Sequence, residues 1–363
     1  MKVLILSCGT GGGHNSAAIA VKETLEEQGV EAVFKEYLEI TEPKLKDKVN
    51  KLYISSTSHN GKAFKRVYKL GELYQKTKLK SPVYQLNWLN RNKLYNYIIE
   101  NKYDYIVATH LFPAQALTAI KKEHNIHFLQ VATDYTSIPF WNETNPDYFI
   151  IPHKDLKREF EEKGNNKKTL LPIGIPVSKR FSEDYEKSKC KELLNLDKDK
   201  KYILVLTGSM GFGNISEMIE ELKTNIPMCE FIVSCGNNKK VFEEIKNKCT
   251  ALLFTENIDL YMKSSEIILT KPGGLTTTEV ATLRKPLIHT MPIPGCENNN
   301  ANFFEERKMA LKCDNIQEII NKTKQLLDNI ELQNEIVENQ KNNIDRNTSK
   351  KIAKLIIREI KGV

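Results

Sequence analysis

The chain reads as an α/β protein of two Rossmann-like domains, and three observations predict it. Its 363 residues are enough for two separate cores. Both halves open with a short apolar run that passes into glycines and then a helical pattern, at residues 2–7 and again at 202–207. Between these openings, apolar runs bounded by turn residues alternate with helical stretches, which is how a parallel sheet is written in sequence.

Taken in order, residues 2–7 form a strand that leads through Cys8 and a glycine-rich turn into a helix. Ala17, Ala18, Val21 and Leu25 recur there at helical spacing, and the helix stops by Gly29. The next strand is 105–109, followed by a helix near 114–122; the run 127–132 is another strand and ends at Thr133-Asp134-Tyr135. Prolines punctuate 171–176 and charge dominates up to Lys201, which marks the connection between domains. The second half supplies strands at 202–207, 230–235, 252–255, 267–270 and 287–289, and two polar amphipathic helices from Ile316 onward.

Composition narrows the function. Seven cysteines with no C-x-x-C pair exclude a disulfide framework and a structural zinc site, so the thiols are expected to be reduced. The longest stretch without Asp, Glu, Lys or Arg is 105–120, 16 residues, short of the roughly 20 that cross a bilayer. The amino-terminal sequence lacks the apolar region and cleavage site of a signal peptide, and a cytoplasmic protein is expected. The formal charge of +8 is unevenly spread: residues 44–97 hold 13 cations against two acids, a net +11, interleaved with eight aromatics. That mixture suits a lipid headgroup layer, where aromatics anchor and cations meet anionic lipid. A nucleic-acid surface has the same ingredients, but nothing else in the chain supports one.

Four motifs carry the chemistry. Gly9-Thr10-Gly11-Gly12-Gly13-His14 lies where strand turns to helix, a place for polar ligands, yet it fits neither the dinucleotide G-x-G-x-x-G pattern nor a P-loop. His14 there is either a helix cap or a general base, its ordinary pKa near 6.5 suiting proton abstraction. A second glycine loop, 208–214, repeats the anion-binding geometry. In Thr270-Lys271-Pro272-Gly273-Gly274-Leu275-Thr276-Thr277-Thr278-Glu279 the glycines admit a diphosphate and Glu279, read as lying in the first helical turn, can accept from a ribose diol. The 292–304 segment is read as a polar loop able to bind hydroxyl groups. The one Asp-x-Asp triplet, Asp197-Lys198-Asp199, sits in the charged connector and reads as surface charge, so no metal is expected.

Together GGGHNSAA, VATDY, IGIPV, the second glycine loop, LTKPGGLTTTE and GCENNNANFFEER resemble, in one order along nearly the whole chain, the processive diacylglycerol glucosyltransferases and monogalactosyldiacylglycerol synthases of glycosyltransferase family 28. The resemblance implies a GT-B fold, two Rossmann-like domains facing a central cleft. It assigns residues 1–175 to the acceptor lipid and membrane, 176–345 to the UDP-sugar, and 346–363 to a helix that packs back on the first domain. It further implies transfer with inversion of a hexose, glucose or galactose, from UDP to diacylglycerol or glycosyl-diacylglycerol at the inner face of the cell membrane, without cofactor or metal.

By the same resemblance His14 is the base, with Asp134 as its rival or orienting partner. Gly208, Ser209, Gly211, Gly274 and Thr276 line the diphosphate, Ile258 meets the uracil, Glu279 the ribose, and Glu297 and Asn300 the hexose. Gly12, Gly13, Lys62, Lys65, Arg66, Lys69 and Trp88 fall on the acceptor and membrane side. The related lipid II-forming N-acetylglucosaminyltransferases favour Arg-Ser at 271–272 and glutamine at 297, so Lys271-Pro272 and Glu297 point to the glycolipid branch. That transferase, a UDP-sugar 2-epimerase and a non-catalytic UDP-sugar sensor stand as alternatives.

Overall fold

A computed structural model describes residues 1–9, 12–44, 70–71, 74, 77, 79–208 and 215–362. Contacts divide these into two compact units, one formed by residues 1–179 with 347–363, the other by 180–346.

The first unit holds β1 (Lys2–Ser7), α1 (Gly12–Glu26), β2 (Glu31–Glu36), α2 (Tyr37–Thr41), α3 (Pro82–Leu89), α4 (Arg91–Glu100), β3 (Tyr105–Ala108), α5 (Leu111–Lys121), β4 (Phe128–Val131), β5 (Tyr148–Ile150), α6 (Lys157–Glu162) and β6 (Leu170–Leu171). The strands form one parallel sheet in the order β2-β1-β3-β4-β5-β6. Its central strands are apolar on both faces because helices cover both, as a doubly wound sheet requires. Val3, Ile5, Val107, Leu129, Val131 and Ile150 meet Ala18, Val21 and Leu25 of α1 in one core.

The second unit holds α7 (Lys187–Leu193), β7 (Lys201–Leu206), α8 (Ile215–Asn225), β8 (Cys229–Ser234), α9 (Lys239–Ile245), β9 (Thr250–Leu252), α10 (Ile258–Ser264), β10 (Ile267–Thr270), α11 (Gly274–Thr282), β11 (Leu287–Thr290), α12 (Cys296–Glu306), β12 (Leu311–Cys313), α13 (Ile316–Asp328) and α14 (Ile330–Asn343). Its parallel sheet runs β12-β11-β10-β7-β8-β9. The last helix, α15 (Thr348–Lys361), belongs to the first unit, where Ile352, Ala353 and Ile356 join the core and the Tyr148 hydroxyl donates to Glu359 at 2.9 Å.

One expectation changes. The carboxyl-terminal segment is three helices, not two, because Asn329 ends α13 and caps α14 with no residues between. The charged connector contains a short helix, α7.

In each sheet the first strand pairs on both sides, β1 with β2 and β3, β7 with β8 and β10. The chain reverses its winding at those strands. Loops at their carboxyl ends therefore diverge and leave a crevice, the general ligand position of open α/β sheets. Gly12 and Gly13 follow β1 at one such end, and Gly208, Gly273 and Gly274 follow β7 and β10 at the other.

Candidate active site

In the first unit α1 starts at Gly12, which makes His14 the third helical residue, over the end of β3. Its Nδ1 lies 3.0 Å from the Thr109 carbonyl oxygen. A carbonyl only accepts, so Nδ1 carries the hydrogen and the lone pair is left on Nε2. The Thr133 hydroxyl oxygen is 2.8 Å from the same Nδ1, and the Thr109 hydroxyl donates to the His14 carbonyl at 3.0 Å. Residues from two strand ends thus fix one ring. Burial lowers its pKa, opposed by the Asp134 carboxylate and the Thr109 bond, so the neutral, proton-accepting form is favoured.

Sequence reading missed His110. It caps α5, its Nδ1 accepting from the Phe112 N–H at 3.1 Å, and its ring meets that of His14 edge to face with centroids 4.7 Å apart. Accepting at Nδ1 puts its hydrogen on Nε2, the opposite tautomer to His14. Burial, and then the neighbouring His14, hold its pKa well below the usual range. The available signal was its position: it follows β3, as the first glycine loop follows the adjacent β1.

The second unit gathers the donor candidates around β7 and β10. Gly208, two residues after β7, has φ +72°, and a Cβ there would lie 2.5 Å from Cε of Lys271. Lys271 Nζ in turn donates to Glu297 Oε1 at 2.7 Å. Gly273 caps α11 with no atom within 4 Å of where its Cβ would be, and Gly274 is the first helical residue. Of the threonines, Thr277 pairs with His289 Nε2 at 3.1 Å and Thr278 with the Gly274 carbonyl at 2.6 Å; half-buried Thr276 is the third residue of the helix.

Glu279 is a correction: α11 begins at Gly274, so it stands in the second turn, beyond the reach of the helix-end dipole. Burial pushes its pKa up to about 8; Arg180 opposes the rise and Asp259 adds to it. The 292–304 segment is a second correction, being mostly α12 rather than a loop. Gly295, at φ 117°, starts that helix and sets Glu297 in its first turn, where a carboxylate is favoured. Asn300 is fully buried and its amide donates to the Pro272 carbonyl at 2.9 Å, which ties α12 to the Lys271–Gly273 loop. Ile258, half-buried, is the first residue of α10.

Gly12 and Gly13 open α1, and a Cβ on Gly12 would touch nothing within 4 Å. Trp88 is 41% exposed on α3, under the Arg91 guanidinium at 4.1 Å. Ser209, Gly211, Lys62, Lys65, Arg66 and Lys69 lie outside the described residues.

Two parallel, doubly wound sheets, one carrying an imidazole base candidate and the other the Gly208 and Gly273–Gly274 turns, are the two domains of a GT-B fold. The solved structures agree on the fold: S. aureus MnaA with UDP (TM-score 0.65, 16% identity, 100% of this chain and 98% of that one) and Acinetobacter baumannii MurG (0.60, 17%, 98% and 99%). Residues 14–177 match the monogalactosyldiacylglycerol (MGDG) synthase family model, and 202–356 the glycosyltransferase family 28 C-terminal domain. A processive diacylglycerol β-glucosyltransferase of Staphylococcus saprophyticus is 30% identical over 84% of this chain and 79% of its own. The chain belongs to this diacylglycerol glucosyltransferase and MGDG synthase group of glycosyltransferase family 28, and is a UDP-sugar-dependent hexosyltransferase.

Proposed function

We propose that the enzyme transfers glucose or galactose from UDP to the hydroxyl of diacylglycerol, and that the glycosyl-diacylglycerol product returns as acceptor. The observation that carries this reading is the sequence kinship over most of the chain with a relative named for that reaction. In this reading the second unit takes the UDP-sugar and the first takes the lipid. The lipid hydroxyl oxygen attacks the anomeric carbon from the face opposite UDP. The new glycosidic bond forms as the bond from that carbon to the diphosphate oxygen breaks. The hydroxyl proton passes to Nε2 of His14, and the bonding electrons leave with UDP.

His14 suits that task because its Nδ1–H is already committed to Thr109. The charge on departing UDP is met by the start of α11 and by Lys271 rather than by a metal ion. Asp197, of the one Asp-x-Asp triplet, accepts the Asp199 N–H at 2.9 Å within its own turn.

We further read the enzyme as peripheral on the inner face of the cell membrane, where UDP-sugars are available. Among the described residues no helix is long and apolar enough to cross a membrane, and Leu79, Leu86, Trp88 and Leu89 are exposed beside Lys80, Arg91 and Lys93.

The test is incubation with diacylglycerol and, separately, UDP-glucose, UDP-galactose and UDP-N-acetylglucosamine, with products identified by mass. Hexosyl- and dihexosyl-diacylglycerol from one of the first two is the expected outcome. Transfer only of N-acetylglucosamine, or binding of UDP-sugars with no product, would overturn it.

A further inference from the structure

Lys271 links three loops of the second unit. It belongs to the loop after β10; its side chain lies across Gly208, two residues after β7, with Nζ 3.6 Å from where a Cβ would stand; and it bonds Glu297, which follows β11. The two ends of this ion pair are unequally placed: the Lys271 side chain is 25% exposed and that of Glu297 only 9%. The carboxylate also accepts the Ile293 N–H, at 3.4 Å. A buried carboxylate needs its cation, whereas a partly solvated ammonium on a flexible stem can turn to another anion.

The donor reading sets these same two groups different tasks. In that reading the diphosphate belongs at Gly208 and the start of α11, beside Nζ, and the hexose hydroxyls belong to Glu297. In the structure the two groups bind each other. We propose that Lys271 changes partner when the donor binds, leaving Glu297 for the diphosphate and releasing the carboxylate to accept from hexose hydroxyls. This rests on the donor reading above.

The exchange treats donor and product differently. With a UDP-hexose, sugar hydroxyls replace the ammonium at Glu297. With UDP alone nothing replaces it, and a buried carboxylate is left uncompensated, which is costly. UDP-hexose is thereby held more tightly than the UDP that must leave after transfer. Glu297→Gln removes the competitor for Lys271 while keeping the side chain's length and an acceptor for Ile293.

Calorimetry with UDP, UDP-glucose, UDP-galactose and uridine on the full chain tests this. Glu297→Gln is expected to bind UDP about tenfold more tightly than the parent and to lose the advantage of UDP-hexose over UDP. Lys271→Met is expected to bind UDP about 10–100-fold more weakly, the range of a hydrogen bond to a charged group, with uridine unchanged in both variants. Equal or weaker UDP binding by folded Glu297→Gln overturns the exchange. No UDP binding by the parent overturns the donor reading itself. If Lys271→Met fails to fold, Glu297→Gln decides alone, its folding checked by its thermal midpoint.

Discussion

A hydrogen on one ring nitrogen determines what His14 can do. With Nδ1–H held by the Thr109 carbonyl, only Nε2 can take a proton. His14→Ala should therefore lose about 10²–10⁴-fold in turnover, the usual contribution of a general base, with UDP affinity unchanged; near-parental turnover would pass the role to Asp134. His110 separates capping from chemistry. His110→Asn keeps an acceptor for Phe112 N–H but opens the face of His14 to water, so its pKa should rise toward the ordinary value. The acid limb of kcat/KM should move to higher pH in that variant, and an unmoved limb with full turnover would make His110 a cap alone. Glu279 gives a stability prediction. Its pKa is raised from 4.5 to about 8, so the folded chain keeps a proton that the unfolded chain releases. Stability is thus lost as pH climbs through that window, and the penalty is complete above about 8. Glu279→Gln should melt above the parent at pH about 8.5 and level with it near pH 4.5, while Glu279→Ala weakens UDP binding by about 1–3 kcal/mol. Identical melting curves at both pH values would show that the carboxyl is not held protonated.

Where a helix begins decides which side chains reach a ligand, and glycine sets that start in different ways. Gly208 is constrained by its φ of +72° and by Lys271 against it, so Gly208→Ala should cost about 1–2 kcal/mol in urea unfolding and push Lys271 off Glu297. Gly12→Ala meets no neighbour and should change stability by less than about 0.5 kcal/mol; a loss of turnover there without a loss of stability would mark a backbone that a substrate must approach. The central strands β1, β3, β4, β7, β8, β10 and β11 were legible in the sequence because burial on both faces demands unbroken apolar runs. At the edges that demand lapses. β2 reads Glu-Ala-Val-Phe-Lys-Glu with a largely half-exposed face, and β6, β9 and β12 have only two or three residues, too few to show a period; β9 in fact starts two residues before its expected position. The site motifs were legible as glycine and threonine chemistry. Their phase was not: Glu279 moved by a turn because the start of α11 at Gly274 depends on backbone geometry that composition does not encode. His110 went unread because its helix was expected to begin at 114, although α5 starts at Leu111.

For the molecule as a whole, the question is how a chain whose described helices are too short and polar to span a membrane meets a lipid acceptor. Charge and apolar surface fall in the same stretch of sequence. Residues 44–97 carry the net +11, and on α3 Leu86 and Leu89 are 56% and 66% exposed, more than a purely structural helix needs. Tyr84 is buried and Tyr95 stacks on His124 with centroids 3.7 Å apart, so some of the aromatics serve packing and do not insert. The two forces answer to different variables. Charge attraction shrinks as the screening length falls from about 10 Å at 0.1 M salt to about 3 Å at 1 M, whereas apolar insertion persists. Sedimentation with vesicles containing anionic lipid should therefore fall with salt to a residual level. Changing Lys62, Lys65, Arg66 and Lys69 to Glu should remove the salt-dependent part, and changing Leu86 and Leu89 to Ser should remove the residue that survives high salt. UDP binding should be unaltered in both, because the proposed donor residues belong to the other unit. If both sets of variants, still folded and binding UDP, sediment as the parent does, residues 44–97 do not dock the chain on lipid and the acceptor must be delivered by another surface.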